Sequence, residues 1–431
     1  MKHSMFSFGR RFCPSAALGA VSFALACSSG SSNDEASGTT RSELCASYLP
    51  NNKPIPNAGG KAASYSTAGF IDLTSEFATP QGTNGRSCVT CHAPQDGWGL
   101  TPATAQRLFD ATDGLHPLFN PVDANRRTLS DVSTVEARRE SYSMLLQAKF
   151  VRNRGMPANA EFACIDADDP FDFGSCTAIH NFRKAMATAN FRSVTVSWDS
   201  ANTQATLHEG LARQARGNVT GAQQGDPAPE EVIEAIVAFE LGLSHAQLIV
   251  PGVGRLDSGG ARGGPQALAA QPLVAGRFDL FDAWIGHGNP RRAQIARGQE
   301  LFNNGDANGL RCGGCHNAAN VGENVEGRLF DVGASNPALA KADMAIYTFQ
   351  NLETGEVRAS TDIGLALRTG LWDDMDRFKT PHLRGLSARA PYFHNGIAET
   401  LHDVVTHYEN ALGFDFSEAE EQDLVAFLSA L

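Results

Sequence analysis

The sequence predicts a mainly α-helical protein built as two similar halves in tandem. Three observations carry that prediction. Amphipathic stretches with helical spacing recur along the chain, whereas strands are scarce, with "SVTVSW" at 193–198 the best candidate. A Cys-x-x-Cys-His run occurs twice, in "SCVTCHA" at 87–93 and "RCGGCHN" at 311–317. Each run is followed downstream by a helix of similar sequence. Ile236-Val237-Ala238-Phe239 in "EEVIEAIVAFELGL" matches Leu424-Val425-Ala426-Phe427 in "EEQDLVAFLSAL".

The spacing of the run has a chemical reason. Two cysteines one turn apart can each form a thioether to one vinyl group of a haem, and the histidine beside them then lies under the iron. With nine Cys and twelve His in 431 residues, chance gives about 0.005 such runs. The alternatives are a structural zinc site or a disulfide. Zinc wants four ligands, from a second Cys pair or a His-x-x-x-His partner, and neither follows at the usual distance. Cys88, Cys91 and His92 are therefore expected to hold one haem c, and Cys312, Cys315 and His316 a second. Helix, haem run, loops and closing helix is the order of a small cytochrome c domain. The expected fold is two cytochrome c-like haem domains in tandem.

The elements follow in order. Lys2, Arg10 and Arg11 precede "CPSAALGAVSFALAC", which is apolar but too short to span a membrane, so residues 1–26 read as an export signal. Cleavage before Cys27 fits two rules. A lipoprotein peptidase would leave Cys27 to be acylated, and an ordinary signal peptidase would read Ala24-x-Ala26. The expectation is a periplasmic body with a lipid anchor at Cys27. Arg10-Arg11 hints at twin-arginine export, but haem c is attached after export, so the chain is expected to cross unfolded. Residues 27–64, opening with "SSGSSNDEASGTT", read as a flexible linker, 65–250 as the first haem domain, and the Gly/Pro-rich 251–274 as a second linker. Residues 275–431 form the second domain.

Within the first half, "TPATAQRLFDAT" opens with Thr101 as a cap and Pro102 in the first turn. "DVSTVEARRESYSMLLQAKF" puts Val135, Tyr142, Leu145 and Leu146 near one face. In the second half, "PRRAQIARGQELF" places Ile295, Gly298 and Phe302 together. Cys164 and Cys176 bracket a polar loop that a disulfide would staple, two separate thiols being the alternative; Cys45 has no partner in this scheme. The formal charge of −12, made more negative by loss of the three basic signal residues, argues against nucleic acid or an anionic membrane surface as partner. It permits a basic or neutral redox protein.

A second axial ligand should close the iron above His316, since an open position would make that haem reactive. Met375 in "LWDDMDRF" is one candidate, as soft sulfur suits electron transfer. Tyr408 is the other. Leu401, Val404, Val405 and Tyr408 stand at i, i+3, i+4 and i+7, so the phenol lies on the buried face, while His407 points elsewhere.

The stretches "FKTPHLRGL", "APYFHNG" and "TLHDVV", together with both haem runs, resemble the bacterial diheme cytochrome c peroxidase family, which includes MauG. The likeness is weaker in the first half, which carries a long insertion between Cys91 and Trp198. The resemblance implies that the first haem meets peroxide and the second passes electrons in from a small c-type cytochrome or similar donor. It makes Trp198 in "SWDSA" the bridge between the haems, although the family's "WDGR" has lost its Gly-Arg pair here; one more buried Trp is the plain alternative. It places Gln224 where the family has a glutamate, ten residues after Gln214-Ala215. An amide can orient peroxide but cannot carry a proton between its oxygens, so Glu209 is the next candidate for that task. It sets His116 loosely where a removable histidine caps the peroxide haem, a surface loop histidine being the alternative. It implies a calcium ion between the halves, held by the carbonyls of Arg389 and Pro391 and by Asn125, though a calcium-free contact fits the residues equally. Seventeen residues after Pro391, where the family has its distal ligand, stands Tyr408; peroxidases have Met there and MauG has Tyr. The expected activity is reduction of hydrogen peroxide, with a MauG-like oxidase and a non-catalytic electron carrier as rivals, and a homodimer allowed.

Overall fold

The computed structural model describes residues 47–431; the export signal, Cys27 and Cys45 lie outside them. Helices form where caps and periodicity place them. Thr101 accepts from the Thr104 N–H and opens the helix Pro102–Thr112. Helices Glu230–Gly242, Pro290–Asn304 and Glu418–Ser429 follow the apolar patterns read from the sequence. The stretch from 135 onward breaks at Tyr142 into Val135–Ser141 and Ser143–Leu146, with Tyr142, Leu145 and Leu146 buried together.

Two apolar clusters surround the two Cys-x-x-Cys-His runs. Phe77, Trp98, Leu211, Ile233, Ile236 and Val237 pack beside Cys88 and Val89. Phe278, Ile295, Phe302, Leu401, Leu424 and Phe427 pack beside Cys312. The echoed pair Ile236 and Leu424 is buried in both. Phe427 sits 5.3 Å from the Phe278 ring and 5.4 Å from the Phe302 ring, and truncating such a side chain costs about 3–5 kcal/mol. Helix 290–304 crosses helix 418–429 at Gly298, where a Cβ would collide with the carbonyl of Asp423, so only glycine permits that approach.

The mainly α expectation needs correction. Among the described residues, eleven α-helices stand beside thirteen strands in five small sheets. Two of those sheets draw on the insertion between Cys91 and Trp198. Lys149–Gly155 pairs with Ala178–Lys184, and Phe162–Asp168 pairs with Ile346–Asn351 from the second half. Cys164 and Cys176 form a disulfide of 2.02 Å within this insertion.

Three local expectations also differ from the fold. The stretch 193–198 is irregular, because side chains take most of its backbone bonds: the Ser193 N–H donates to Glu323, and Lys379 Nζ donates to the Thr195 carbonyl, with one backbone bond, from the Lys379 N–H to the Trp198 carbonyl, at its end. The described part of the first linker carries strands, of which Gly60–Ser66 pairs with Leu243–Val250. In the second linker, Val253, Leu256 and Ala261 enter the core of the second half. Accordingly Ser47–Leu431 clusters as one compact unit and does not separate at 251–274. None of the helices among the described residues is long and apolar enough to cross a membrane.

Candidate haem sites

Both runs fold the same way. In the first, Ser87 precedes a single helical turn, Cys88–Cys91, and the His92 N–H donates to the Cys88 carbonyl at 3.0 Å. In the second, a tighter turn over Cys312–Gly314 leaves the His316 N–H on the Cys312 carbonyl at 3.1 Å. Each turn presents two thiols and an imidazole close together. The four cysteines are free thiols, which leaves no disulfide within either run. Burial pushes Cys91 up to about 11, Cys312 up to about 12, and Cys88 and Cys315 upward as well.

Each imidazole is fixed by a backbone carbonyl six residues on. His92 Nδ1 lies 3.0 Å from the Trp98 carbonyl, and His316 Nδ1 lies 2.6 Å from the Gly322 carbonyl. A carbonyl only accepts, so Nδ1 carries the hydrogen in each ring, and the His92 ring also meets the Met186 backbone. Burial pulls both rings down to about 4, which keeps them neutral near pH 7. Trp98 is itself fully buried, and its indole N–H donates to Ser64 Oγ at 2.8 Å.

His316, Cys312 and Cys315 open onto an apolar cavity of about 230 Å³. Phe302, Val404, Val405, Leu424 and Tyr408 share its wall. Tyr408 comes from helix Leu401–Leu412, which Thr400 caps by accepting from the Asp403 N–H. Burial pushes its phenol well above the usual range, and the neighbouring Cys312 and Cys315 push it further. His407 turns away, with Nε2 donating to the Val332 carbonyl at 2.7 Å. Met375 does not line this cavity; it is buried among Phe162, Tyr347, Phe349, Ile363 and Trp372. Two thiols, a neutral imidazole, a phenol and apolar walls make a donor set that fits a covalently attached haem.

Trp198 lies on the same wall, half-buried, its indole N–H donating to the Lys184 carbonyl at 2.9 Å. Gln224 is exposed in a left-handed conformation (φ 55°), and its amide oxygen accepts from Asn84 at 3.3 Å, in the loop leading to Cys88. Glu209 is exposed and engaged in capping its own helix with Thr206. His116 is partly buried; its Nδ1 accepts from the Leu118 N–H at 3.2 Å, and burial with Arg107 and Arg86 pulls it down to about 4.

Two of the residues assigned to calcium, Asn125 and Arg389, are engaged with other groups. Asn125 directs its side chain to the Glu140 carbonyl, Ser143 Oγ and the Met144 N–H. The Arg389 carbonyl accepts from Lys184 Nζ at 3.2 Å. Lys184, His382 and His394 are cavity residues that the sequence reading left without a role. Both histidines stand inside the quoted motifs, and His394 stacks on Phe378 with centroids 3.7 Å apart. A lone lysine gives no signal in sequence.

Geometry and sequence comparison point to the same class, a protein carrying c-type haem covalently. No family model matches the chain. Its curated relatives are named cytochrome-c peroxidases and methylamine utilization protein MauG, at 26–33% identity. Cytochrome-c peroxidase IdrP1 of Denitromonas iodatirespirans is 31% identical over 171 residues, 35% of this chain and 44% of the relative. MauG of Methylorubrum extorquens is 27% identical over 250 residues, 55% of this chain and 62% of the relative. Cytochrome c peroxidase Ccp of Escherichia coli is 33% identical over 35% of this chain and 28% of its own length. The chain thus spans less than two thirds of each of these relatives. A solved MauG-like protein associated with microbial copper homeostasis is 17% identical with a TM-score of 0.35, covering 58% of this chain and 75% of that one. The names of these relatives support an oxidoreductase.

Proposed function

We propose that the chain is an exported diheme oxidoreductase that reduces hydrogen peroxide to two waters, with two protons and two electrons, one from each of two small c-type cytochromes or similar donors. The observation that carries this reading is the duplicated site: two pairs of free thiols, each beside a buried histidine whose Nδ1 is tied to a backbone carbonyl six residues on. When bound, the haems supply the electron storage and the metal that meets peroxide. His92 serves the peroxide site and His316 the electron-entry site. The Trp98 and Gly322 carbonyls make each imidazole a stronger donor by polarising its N–H. Trp198 passes electrons between them, a role its position on the wall of the second cavity supports. Gln224 orients peroxide by hydrogen bonds, and its amide leaves proton transfer to another group. Residues 1–26 direct export, and Cys27 carries the anchor of a periplasmic lipoprotein.

A second reading, a MauG-like oxidase acting on a protein or organic substrate, is favoured by one observation. Tyr408 lines the same cavity as His316, and an anionic oxygen ligand stabilises higher oxidation states. The test is peroxide consumption by the haem-loaded protein with a reduced small cytochrome. Stoichiometric oxidation of two cytochromes per peroxide supports the peroxidase. Peroxide loss without cytochrome oxidation supports the oxidase. Rapid reduction with no peroxide loss marks a simple electron carrier and refutes both.

A further inference from the structure

We propose that the amine of Lys184, and not a calcium ion, ties the two halves together at the loop 389–396. Lys184 ends the strand Ala178–Lys184 of the first half; two of its polar groups reach the second half, and a third binds Trp198 within the first. Its Nζ donates to the Arg389 carbonyl at 3.2 Å, the oxygen that the family resemblance gives to calcium. Its backbone N–H donates to the His394 carbonyl at 2.7 Å. Its own carbonyl accepts the Trp198 indole at 2.9 Å.

The surroundings suit an amine and oppose a divalent cation. Lys149 faces Lys184 in register on the neighbouring strand, and both are buried. The stems of both lysines lie against Gly396: a Cβ there would stand 3.5 Å from Lys149 Cε, 3.5 Å from Lys184 Cδ and 3.1 Å from Pro391 Cγ. Pro391, the second residue assigned to calcium, is thus packed beside lysine stems. A third lysine, Lys341, donates to the Gly396 carbonyl at 3.2 Å. The Arg389 guanidinium adds another positive group and is held by the carbonyls of His382 and Arg384. Two neighbouring carboxylates are engaged elsewhere, Asp96 with Thr101 and Thr104 and Glu399 with Lys341. Asp343 lies beside Lys149, with one carboxylate oxygen accepting from Gln147 and the other without a partner. A doubly charged ion at the Arg389 carbonyl would still meet the cations of Lys184, Lys149, Lys341 and Arg389 at short range. Burial, reinforced by Arg389, pulls Lys184 down to about 7. Charged or neutral, its amine still donates an N–H, so the link to the Arg389 carbonyl holds across that range.

The test uses the haem-loaded protein purified without chelator. Elemental analysis should find no stoichiometric calcium, and neither excess EGTA nor added calcium should change the ferric haem spectra or the melting temperature. In Lys184→Met, amide hydrogen exchange of the segment 386–397 should become about tenfold faster, the effect of losing a hydrogen bond that holds the loop. One retained calcium per chain whose removal shifts a haem spectrum would overturn the proposal. So would unchanged exchange of that segment in a folded Lys184→Met. If this variant does not accumulate, the calcium measurements on the natural protein decide alone.

Discussion

Replacing Lys379 by Met tests how the chain positions Trp198. Lys379 Nζ and Glu323 form an ion pair of 2.7 Å with side chains only 3% and 1% exposed. The pair organises the irregular stretch before Trp198: Lys379 Nζ donates to the Thr195 carbonyl at 2.6 Å, and Glu323 accepts from the Ser193 N–H at 3.1 Å. The Lys379 backbone N–H also donates to the Trp198 carbonyl at 2.9 Å. Lys379→Met strands a buried carboxylate, which costs about 3–5 kcal/mol. Glu323→Gln leaves a buried ammonium and should cost a similar amount, while keeping an acceptor for Ser193. The double variant removes both charges and should recover most of the loss, because the desolvation of two ions disappears with their attraction. The assay is chemical denaturation of the haem-loaded protein followed by far-UV circular dichroism, arranged as a double-mutant cycle. A loss below about 1 kcal/mol in Lys379→Met, as for an exposed pair, would refute the view that this pair holds the stretch.

Other predictions concern the haem pockets and a remote buried acid. Tyr408→Phe should let added azide or cyanide bind the second haem and change the ferric spectrum, while Met375→Ala should leave both spectra alone and cost about 2–5 kcal/mol of stability. The reverse pattern would make Met375 the ligand. Gln224→Glu should raise peroxide turnover by about tenfold or more by restoring a proton carrier; an unchanged rate in a fully loaded variant passes that role to Glu209 or another residue. Burial raises Asp376 to about 7 despite the hydrogen bond from Ser360. The folded state then keeps a proton that the unfolded state releases, so stability falls as pH rises from about 4 to about 7. Asp376→Asn should therefore stabilise at about pH 8, by at most about 4 kcal/mol, and have little effect at about pH 4. Asn also suits the left-handed backbone at this position, φ 64°. Melting curves at the two pH values check it, and an equal shift at both would contradict the assignment.

Local signals were legible in the sequence wherever a helix announces itself by cap and spacing. Thr101, and the apolar rows of 230–242, 290–304 and 418–429, are of that kind. The cysteine–histidine runs were legible for the same reason, since one turn of chain sets their geometry. Pairings between distant segments were not. The strand at 162–168 is rich in Asp and Ala, and its partner at 346–351 lies in the other half, so no nearby turn or alternation marks the sheet. The stretch 193–198 has the β-branched look of a strand, yet buried Glu323 and Lys379 take its backbone bonds. Lys184 was invisible because its role depends on a carbonyl 205 residues away. Trp198 and Tyr408 were placed through family resemblance and helical phase, and both lie on the wall of one cavity. Gln224 was placed by counting along the chain, and it stands exposed beside Asn84.

The central claim is that two haems are attached through Cys88, Cys91, Cys312 and Cys315. Intact mass under denaturing conditions, on protein from a host able to mature c-type cytochromes, tests it most directly. The expected mass is that of the mature chain plus two haems, and Cys312→Ala with Cys315→Ala should retain only one. A haem-free mass from such a host, or one haem in the natural protein, would contradict it.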